Sequence, residues 1–335
     1  MNTKIIYSKT FDNHDNQGHP ENAKRTTLMI DALKQSELVD RVDISEPTLL
    51  PEQQLFKVHN DEMIYQIKAM SRLPEGWIDL DTYVCHNDFE TARLAAGGMV
   101  TLSNEVMNGK AKNGFALVRP PGHHATKTRS MGFCLFNNIS LAAYNLMKKG
   151  KKVLIIDPDV HHGNGTQEIF YGSDKVLYQS IHLSPHFPGT GPIEEIGEKN
   201  GEGYTINAPF PRGTGETTIQ QLLDEIFKPV AKQFNPDIIL VSSGFDSHHA
   251  DLLGGLHLGI DFFGQIIRQY QTIQSKIVLT IEGGYNLDVI GKCFLSQVGI
   301  LCGKPQFFDD SIPASIEKPE IIKKIRRQLK PYWDI

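Results

Sequence analysis

Cysteine is scarce in this chain of 335 residues: there are four (Cys85, Cys134, Cys293, Cys302), and no two form a CxxC pair. That excludes a small disulfide-stapled scaffold and the ligand spacing of a zinc ribbon. Long apolar runs are missing too, and none approaches the roughly 18 residues of a membrane-spanning helix. The opening MNTKIIYS has neither the charged start nor the apolar stretch of a secretory signal. These absences lead us to expect a reduced, cytoplasmic protein without a membrane partner. An excess of positive charge is also lacking: 34 Lys and Arg stand against 39 Asp and Glu, a net −5, so no direct nucleic-acid contact is expected. No repeat, low-complexity tract or linker divides the chain, and we expect one domain over residues 1–335. Hydrophobic residues, at 40%, suffice for a substantial core. Histidine, by contrast, is plentiful: there are 13, several in adjacent pairs.

Short runs rich in Val, Ile and Leu recur at residues 4–7, 115–118, 153–156, 176–179, 238–241 and 277–281. They are continuously apolar, as strands buried on both faces of a parallel sheet are. Helical patterns lie between them. One starts at Asn87, with Glu90 as a capping-box partner and a stripe of Ala92, Ala95, Met99, Leu102 and Val106. A second runs from Ile139 to the basic stop at Lys148-Lys149-Gly150. A third carries Ile219, Leu222, Leu223, Ile226 and Val230, and Pro229 should kink it. A fourth uses Phe262, Phe263, Ile266, Ile267 and Tyr270, and a basic amphipathic helix is expected at residues 318–330. Alternating strands and helices predict an α/β fold with a mostly parallel central sheet covered on both faces. Ligands of such sheets sit beyond the carboxyl ends of the strands.

The chemistry-bearing residues stand at those ends. The run Ile155-Ile156-Asp157-Pro158-Asp159-Val160-His161-His162-Gly163-Asn164 ends a strand and at once presents Asp, Asp, His and His. Asp159 and His161 are two residues apart, so on an extended chain they face the same side and can clamp one ion. Carboxylate and imidazole together are a zinc-type donor set, reaching the metal at about 2.0–2.2 Å. Catalytic zinc takes three protein ligands and leaves one position open. Asp246, after the strand and turn Ile238–Phe245, is the candidate third. Arg119-Pro120-Pro121-Gly122-His123-His124 fixes two adjacent imidazoles suited to acid–base work on a water and a leaving group. Asp157 and Asn164 are available behind them to set tautomer and basicity. In Ile281-Glu282-Gly283-Gly284-Tyr285 the glycine pair can bring the Tyr285 hydroxyl to a developing oxyanion.

The segments RPPGHHA, GFCLFNN, DPDVHHGNGTQ, SSGFDSH and EGGYN, in this order and spacing, resemble the zinc-dependent histone deacetylases. HPENAKR (residues 19–25) is similar to that family's N-terminal loop, and matching segments run from about residue 14 to 290. DVHHGNGTQ and EGGYN are nearer to class II and prokaryotic deacetylase-like proteins than to class I. The resemblance implies a three-layer arginase/deacetylase-type fold, with zinc on Asp159, His161 and Asp246 and Fe2+ or Co2+ as substitutes. It implies that His123 and His124 are the paired acid–base residues, His124 being the base, with Asp157 orienting His123 and Asn164 bonding His124. It implies further that Phe133 and Phe187 wall a narrow channel with Leu253 at its mouth. A structural potassium ion at Asp157 and Ser180 comes from the resemblance alone.

The activity so implied is hydrolysis of the Nε-acetyl-lysine amide in proteins or peptides. An acetylpolyamine amidohydrolase is the alternative on the same site. Leu253 stands where the polyamine-preferring branch has Glu, which favours acetyl-lysine. No long insertion separates Trp77 from Phe89, although Asp79 and Asp81 fall near the rim. A binuclear, arginase-like hydrolase would need further carboxylates after His161, where His162, Gly163 and Asn164 stand. A non-catalytic acyl-lysine reader would be expected to have lost Tyr285 or a ligand. His248 and His249 are expected on a solvated rim loop. Assembly as an oligomer is compatible with the sequence.

Overall fold

In the computed structural model, which describes residues 2–335, eight parallel strands form one sheet. In chain order the strands are β1 (Thr3–Ile6), β2 (Val42–Ser45), β3 (Glu75–Trp77), β4 (Tyr83–Cys85), β5 (Asn113–Ala116), β6 (Val153–Asp157), β7 (Val176–Leu183), β8 (Thr205–Phe210), β9 (Ile238–Ser243) and β10 (Ile277–Ile281). The order across the sheet is β2-β1-β5-β10-β9-β6-β7-β8, and β3 and β4 form a separate antiparallel ribbon. Successive residues of a strand enter opposite cores: Leu154 and Ile156 pack on one side, Val153 and Ile155 on the other. This is why the strand sequences are continuously apolar. Helices Lys24–Gln35, Ile260–Gln271 and Ile290–Leu301 cover the first face, and Asp88–Met107 and Asn138–Met147 the second. The result is a three-layer α/β fold. Among the described residues no helix is long and apolar enough to cross a membrane.

The interior strands lie close to the apolar runs that announce them, while the two edge strands do not. β2 is half exposed, and β8 carries Asn207 and Pro209 in its sequence TINAPF. Proline lacks a ladder donor and is tolerated at a sheet edge. β7 continues past its apolar run through Ser180 and His182 to Leu183, buried throughout. The expected strand at 115–118 lies instead at Asn113–Ala116 and takes in Gly114, where a Cβ would stand 2.4 Å from the Lys4 carbonyl oxygen.

Two helix details differ from the sequence reading. The helix 216–234 meets Pro229 through a π-helical turn, Leu223–Phe227, which places the proline in the first turn of the segment Lys228–Phe234. The ring therefore sits where a missing N–H is tolerated. The other is the Asn87–Glu90 capping box, which does not form. Asn87 is left-handed (φ 67°) and gives no side-chain cap, while Glu90 pairs with Arg93. The cap comes from another element, as Ser71 Oγ accepts the Phe89 N–H at 2.8 Å. Ser71→Ala is expected to cost about 1 kcal/mol in urea unfolding. Glu90→Ala should stay within about 0.5 kcal/mol, whereas an Asn87–Glu90 capping box would make Glu90→Ala the costlier of the two.

Candidate active site

The carboxyl ends of β5, β6, β9 and β10 are neighbours in the sheet, and their loops converge on one buried volume. From β6 come Asp159 and His161, and from β9 comes Asp246. His161 Nδ1 lies 3.1 Å from Asp159 Oδ1 and 3.0 Å from Asp246 Oδ2. All three residues are buried. Backbone amides hold the outer carboxylate oxygens: Gly283 N–H donates to Asp159 Oδ2 (2.8 Å) and Val160 N–H to Asp246 Oδ1 (2.9 Å). Glycine is obligatory on both sides. A Cβ on Gly244 would lie 2.0 Å from Asp159 Oδ2, and one on Gly283 2.0 Å from Asp246 Oδ2.

The donor set fits a metal ion. Burial, with the Asp159 carboxylate beside it, raises the Asp246 carboxyl to about 7. Burial opposes a charge on His161, yet the Asp246 and Asp159 carboxylates lift it to about 10. Two buried carboxylates this close need positive charge between them. Two carboxylates and one imidazole on rigid strand ends are the donors that a divalent first-row cation accepts.

Beside this set stand His123 and His124, their ring centroids 4.0 Å apart. The Asp157 Oδ2 atom lies 3.1 Å from His123 Nδ1 and accepts the Tyr178 hydroxyl at 3.0 Å. His124 Nδ1 lies 2.8 Å from Asn164 Oδ1. An amide oxygen only accepts, so His124 carries its proton on Nδ1 and presents a lone pair on Nε2. The two imidazoles are tuned apart. Burial and then the His123 charge hold His124 well below the usual histidine range. Burial also acts against His123, but Asp157 and Asp159 lift it to about 10. Divergent environments of this kind mark a division of acid and base roles.

Three carboxylate anchors hold the loops in place. The Glu282 carboxylate, raised to about 7 by burial, accepts the N–H groups of Gly122 (2.7 Å) and His123 (3.0 Å), tying the β10 loop to the β5 loop. Asp251 Oδ2 accepts the N–H groups of Tyr285 (2.6 Å) and Asn286 (2.9 Å). The third anchor is Glu21, which bridges Arg119 (Nη2 to Oε2, 2.7 Å) and Arg25 (Nη1 to Oε1, 3.0 Å). Arg25 also donates to the carbonyls of Glu282 and Gly284, and its guanidinium lies 5.0 Å from the Tyr285 ring centre. The sequence names Glu21, Arg25 and Arg119 only as members of motifs. The Glu21–Arg119 pair spans 98 residues and no local signal reports it, whereas Glu21 and Arg25 are only four residues apart.

A cavity of about 340 Å³ opens above the metal ligands, with His124, His161 and Tyr285 at its foot. Phe133, Phe187 and Leu253, which the resemblance assigns to a channel, line it. Phe133 takes a left-handed backbone (φ 68°), rare for an aromatic residue, and its ring meets the Tyr285 ring edge-on at 5.8 Å. Phe187 meets His124 edge-on at 5.1 Å. Asp81 reaches the cavity, whereas Asp79 is engaged by the N–H groups of Asp81 and Thr82 in its own turn. His162 stays outside the site, bonded to Thr190 and Gln167. Ser180 pairs in register with Asp157, and its hydroxyl meets His182 Nδ1 at 2.8 Å. His248 and His249 correct the expectation of a solvated rim. Both turn toward the Asp310 carboxylate, at 3.0 and 2.7 Å, and Asp310 also accepts the Ile260 N–H at the start of helix Ile260–Gln271. His248 is buried and His249 half-buried, and the carboxylate that engages them lies about sixty residues downstream, out of reach of a local reading.

Residues 19–301 match the histone deacetylase domain. The chain is 35% identical over 316 residues to a probable deacetylase of Archaeoglobus fulgidus, covering 92% of this chain and 87% of that one. It is 37% identical over 345 residues to the chloroplastic histone deacetylase 10 of Oryza sativa subsp. japonica, covering 94% and 77%. The crystal structure of the HDA15 HD domain superposes with a TM-score of 0.93 at 32% identity, covering 99% of this chain and 95% of that chain. The chain thus belongs to the histone deacetylase family, on its class II-like side.

Proposed function

We propose that this deacetylase-family protein hydrolyses the amide of Nε-acetyl-lysine in proteins or peptides, using one zinc ion per chain. The observation that carries the reading is the buried Asp159–His161–Asp246 set beside two oppositely tuned histidines, at the foot of an aromatic-walled cavity. Bound to those three donors, zinc supplies a Lewis acid that lowers the pKa of water toward ~7 and polarises an acyl carbonyl. Fe2+ and Co2+ suit the same donors.

The residues of the chain do the rest. Phe133 and Phe187 grip the methylenes of the lysine side chain and exclude bulk water. Neutral His124 offers Nε2 as the base that takes the proton of the attacking water, and Asn164 holds its tautomer. His123, kept charged by Asp157, places positive charge beside the developing oxyanion. The Tyr285 hydroxyl donates to that oxyanion, as its position at the cavity foot allows. As the C–N bond breaks, the histidine pair returns a proton to the departing amine, leaving acetate and lysine. A potassium ion at Asp157 and Ser180 would steady the carboxylate behind His123.

Acetylpolyamine hydrolysis is the second reading, favoured by the Asp81 carboxylate on the cavity. Leu253 opposes it by offering a distal ammonium no partner. A non-catalytic reader would not need Tyr285 or a complete ligand set. The deciding experiment is kcat/KM of the zinc-loaded protein on an acetyl-lysine peptide and on an N-acetylated polyamine, side by side. Preference for the peptide is expected. Preference for the polyamine would place Asp81 above Leu253, and turnover of neither would support a longer acyl group or a reader. Tyr285→Phe is expected to lower kcat by on the order of 10²–10³ with zinc still bound. A loss below about tenfold would remove the hydroxyl from the mechanism.

A further inference from the structure

The cavity carries one cationic side chain that the deacetylation chemistry leaves unused. Arg212 follows β8 in the turn Pro211-Arg212-Gly213-Thr214, is exposed, and lines the same cavity as His124, Phe187, Leu253 and Tyr285. Its backbone is fixed: Gly213 N–H donates to the Gly255 carbonyl at 2.7 Å, and the Thr214 hydroxyl donates to the Pro211 carbonyl at 2.8 Å. The guanidinium packs against Gly255, where a Cβ would stand 2.7 Å from both Cζ and Nη1. Gly255 is next but one to Leu253, whose carbonyl bonds His186 Nε2 at 3.0 Å. His186 in turn stacks on the ligand His161 at 4.8 Å. The guanidinium therefore sits on the site side of the turn. No carboxylate pairs with it among the described residues.

Resting on the acetyl-lysine reading, we propose that Arg212 is a specificity-determining residue that selects substrates with a carboxylate next to the acetylated side chain. A guanidinium presents a planar fork of donors that fits a carboxylate with two parallel hydrogen bonds. On an exposed rim the pairing acts mainly as discrimination: it favours an acidic neighbour and repels a second cation. A distal ammonium of an acetylated polyamine meets the same repulsion. The carboxylate can belong to a flanking Asp or Glu side chain or to the terminus of an acetyl-lysine that ends its chain.

The test is kcat/KM of the zinc-loaded full chain and of Arg212→Ala and Arg212→Glu at low ionic strength. One arm uses terminally blocked peptides with Asp, Asn or Lys beside the acetyl-lysine. The other uses a peptide ending in acetyl-lysine, with its terminus free or amidated. The wild type should prefer the carboxylate-bearing member of one arm by about two- to fivefold over the neutral one, mainly through KM. That arm identifies the source. Arg212→Ala should level the series, and Arg212→Glu should invert it in favour of Lys, which no purely structural role would produce. Added salt should shrink both preferences. Turnover that ignores charge in all three proteins, or an Arg212→Glu series ranked like wild type, would overturn the proposal alone. Turnover of no peptide by the wild type would overturn the acetyl-lysine reading and this proposal with it.

Discussion

Packing the carboxylates of Asp159 and Asp246 against one imidazole, away from water, is the constraint around which much of this molecule is built. Like charges at that spacing repel strongly in a poorly polarisable interior. Backbone amides of Gly283 and Val160 take one oxygen from each carboxylate, and two glycines leave room where any side chain would collide. The inner oxygens and His161 then converge on a point that a divalent cation satisfies. A parallel sheet makes this arrangement available, because the ends of β6, β9 and β10 lie side by side and rigid. Loops alone would hold such a set less rigidly.

A second tier of buried charge keeps the loops from drifting. Glu282 ties β10 to the histidine loop, and Glu21 locks Arg25 and Arg119 between the N-terminal segment and the glycine turn before Tyr285. Such a network costs desolvation, and removing one partner strands a charge in the interior. Its return is position. The Tyr285 loop, the His123–His124 pair and the cavity wall are all referenced to the same few atoms. Within that frame the two histidines differ in their neighbours, Asp157 for one and an amide oxygen for the other, and so acquire opposite proton preferences.

Much of this is legible in the sequence because it is local. β6, β9 and β10 announce themselves as apolar runs, and the ligands follow β6 and β9, and Tyr285 follows β10, within a few residues. Asp159 and His161 share a side by simple strand geometry, and the His123–Asp157 and His124–Asn164 contacts join residues that the motifs already single out. What escapes the sequence is long-range. Asp310 engages His248 and His249 from about sixty residues downstream, Ser71 caps a helix whose own Glu90 does not, and Glu21 finds Arg119 98 residues away. The edge strands β2 and β8 escape for another reason. Half-exposed or proline-bearing strands lack the apolar run that a central strand must have.

The central claim is that one metal ion is held by Asp159, His161 and Asp246 and by no others. Anomalous scattering at the zinc edge, from crystals of the zinc-loaded protein, tests it most directly. The account predicts one strong peak per chain, within coordination distance of those three side chains and open on the side of His124 and Tyr285. A peak elsewhere, a second peak of equal strength beside the first, or no peak at that set would contradict it.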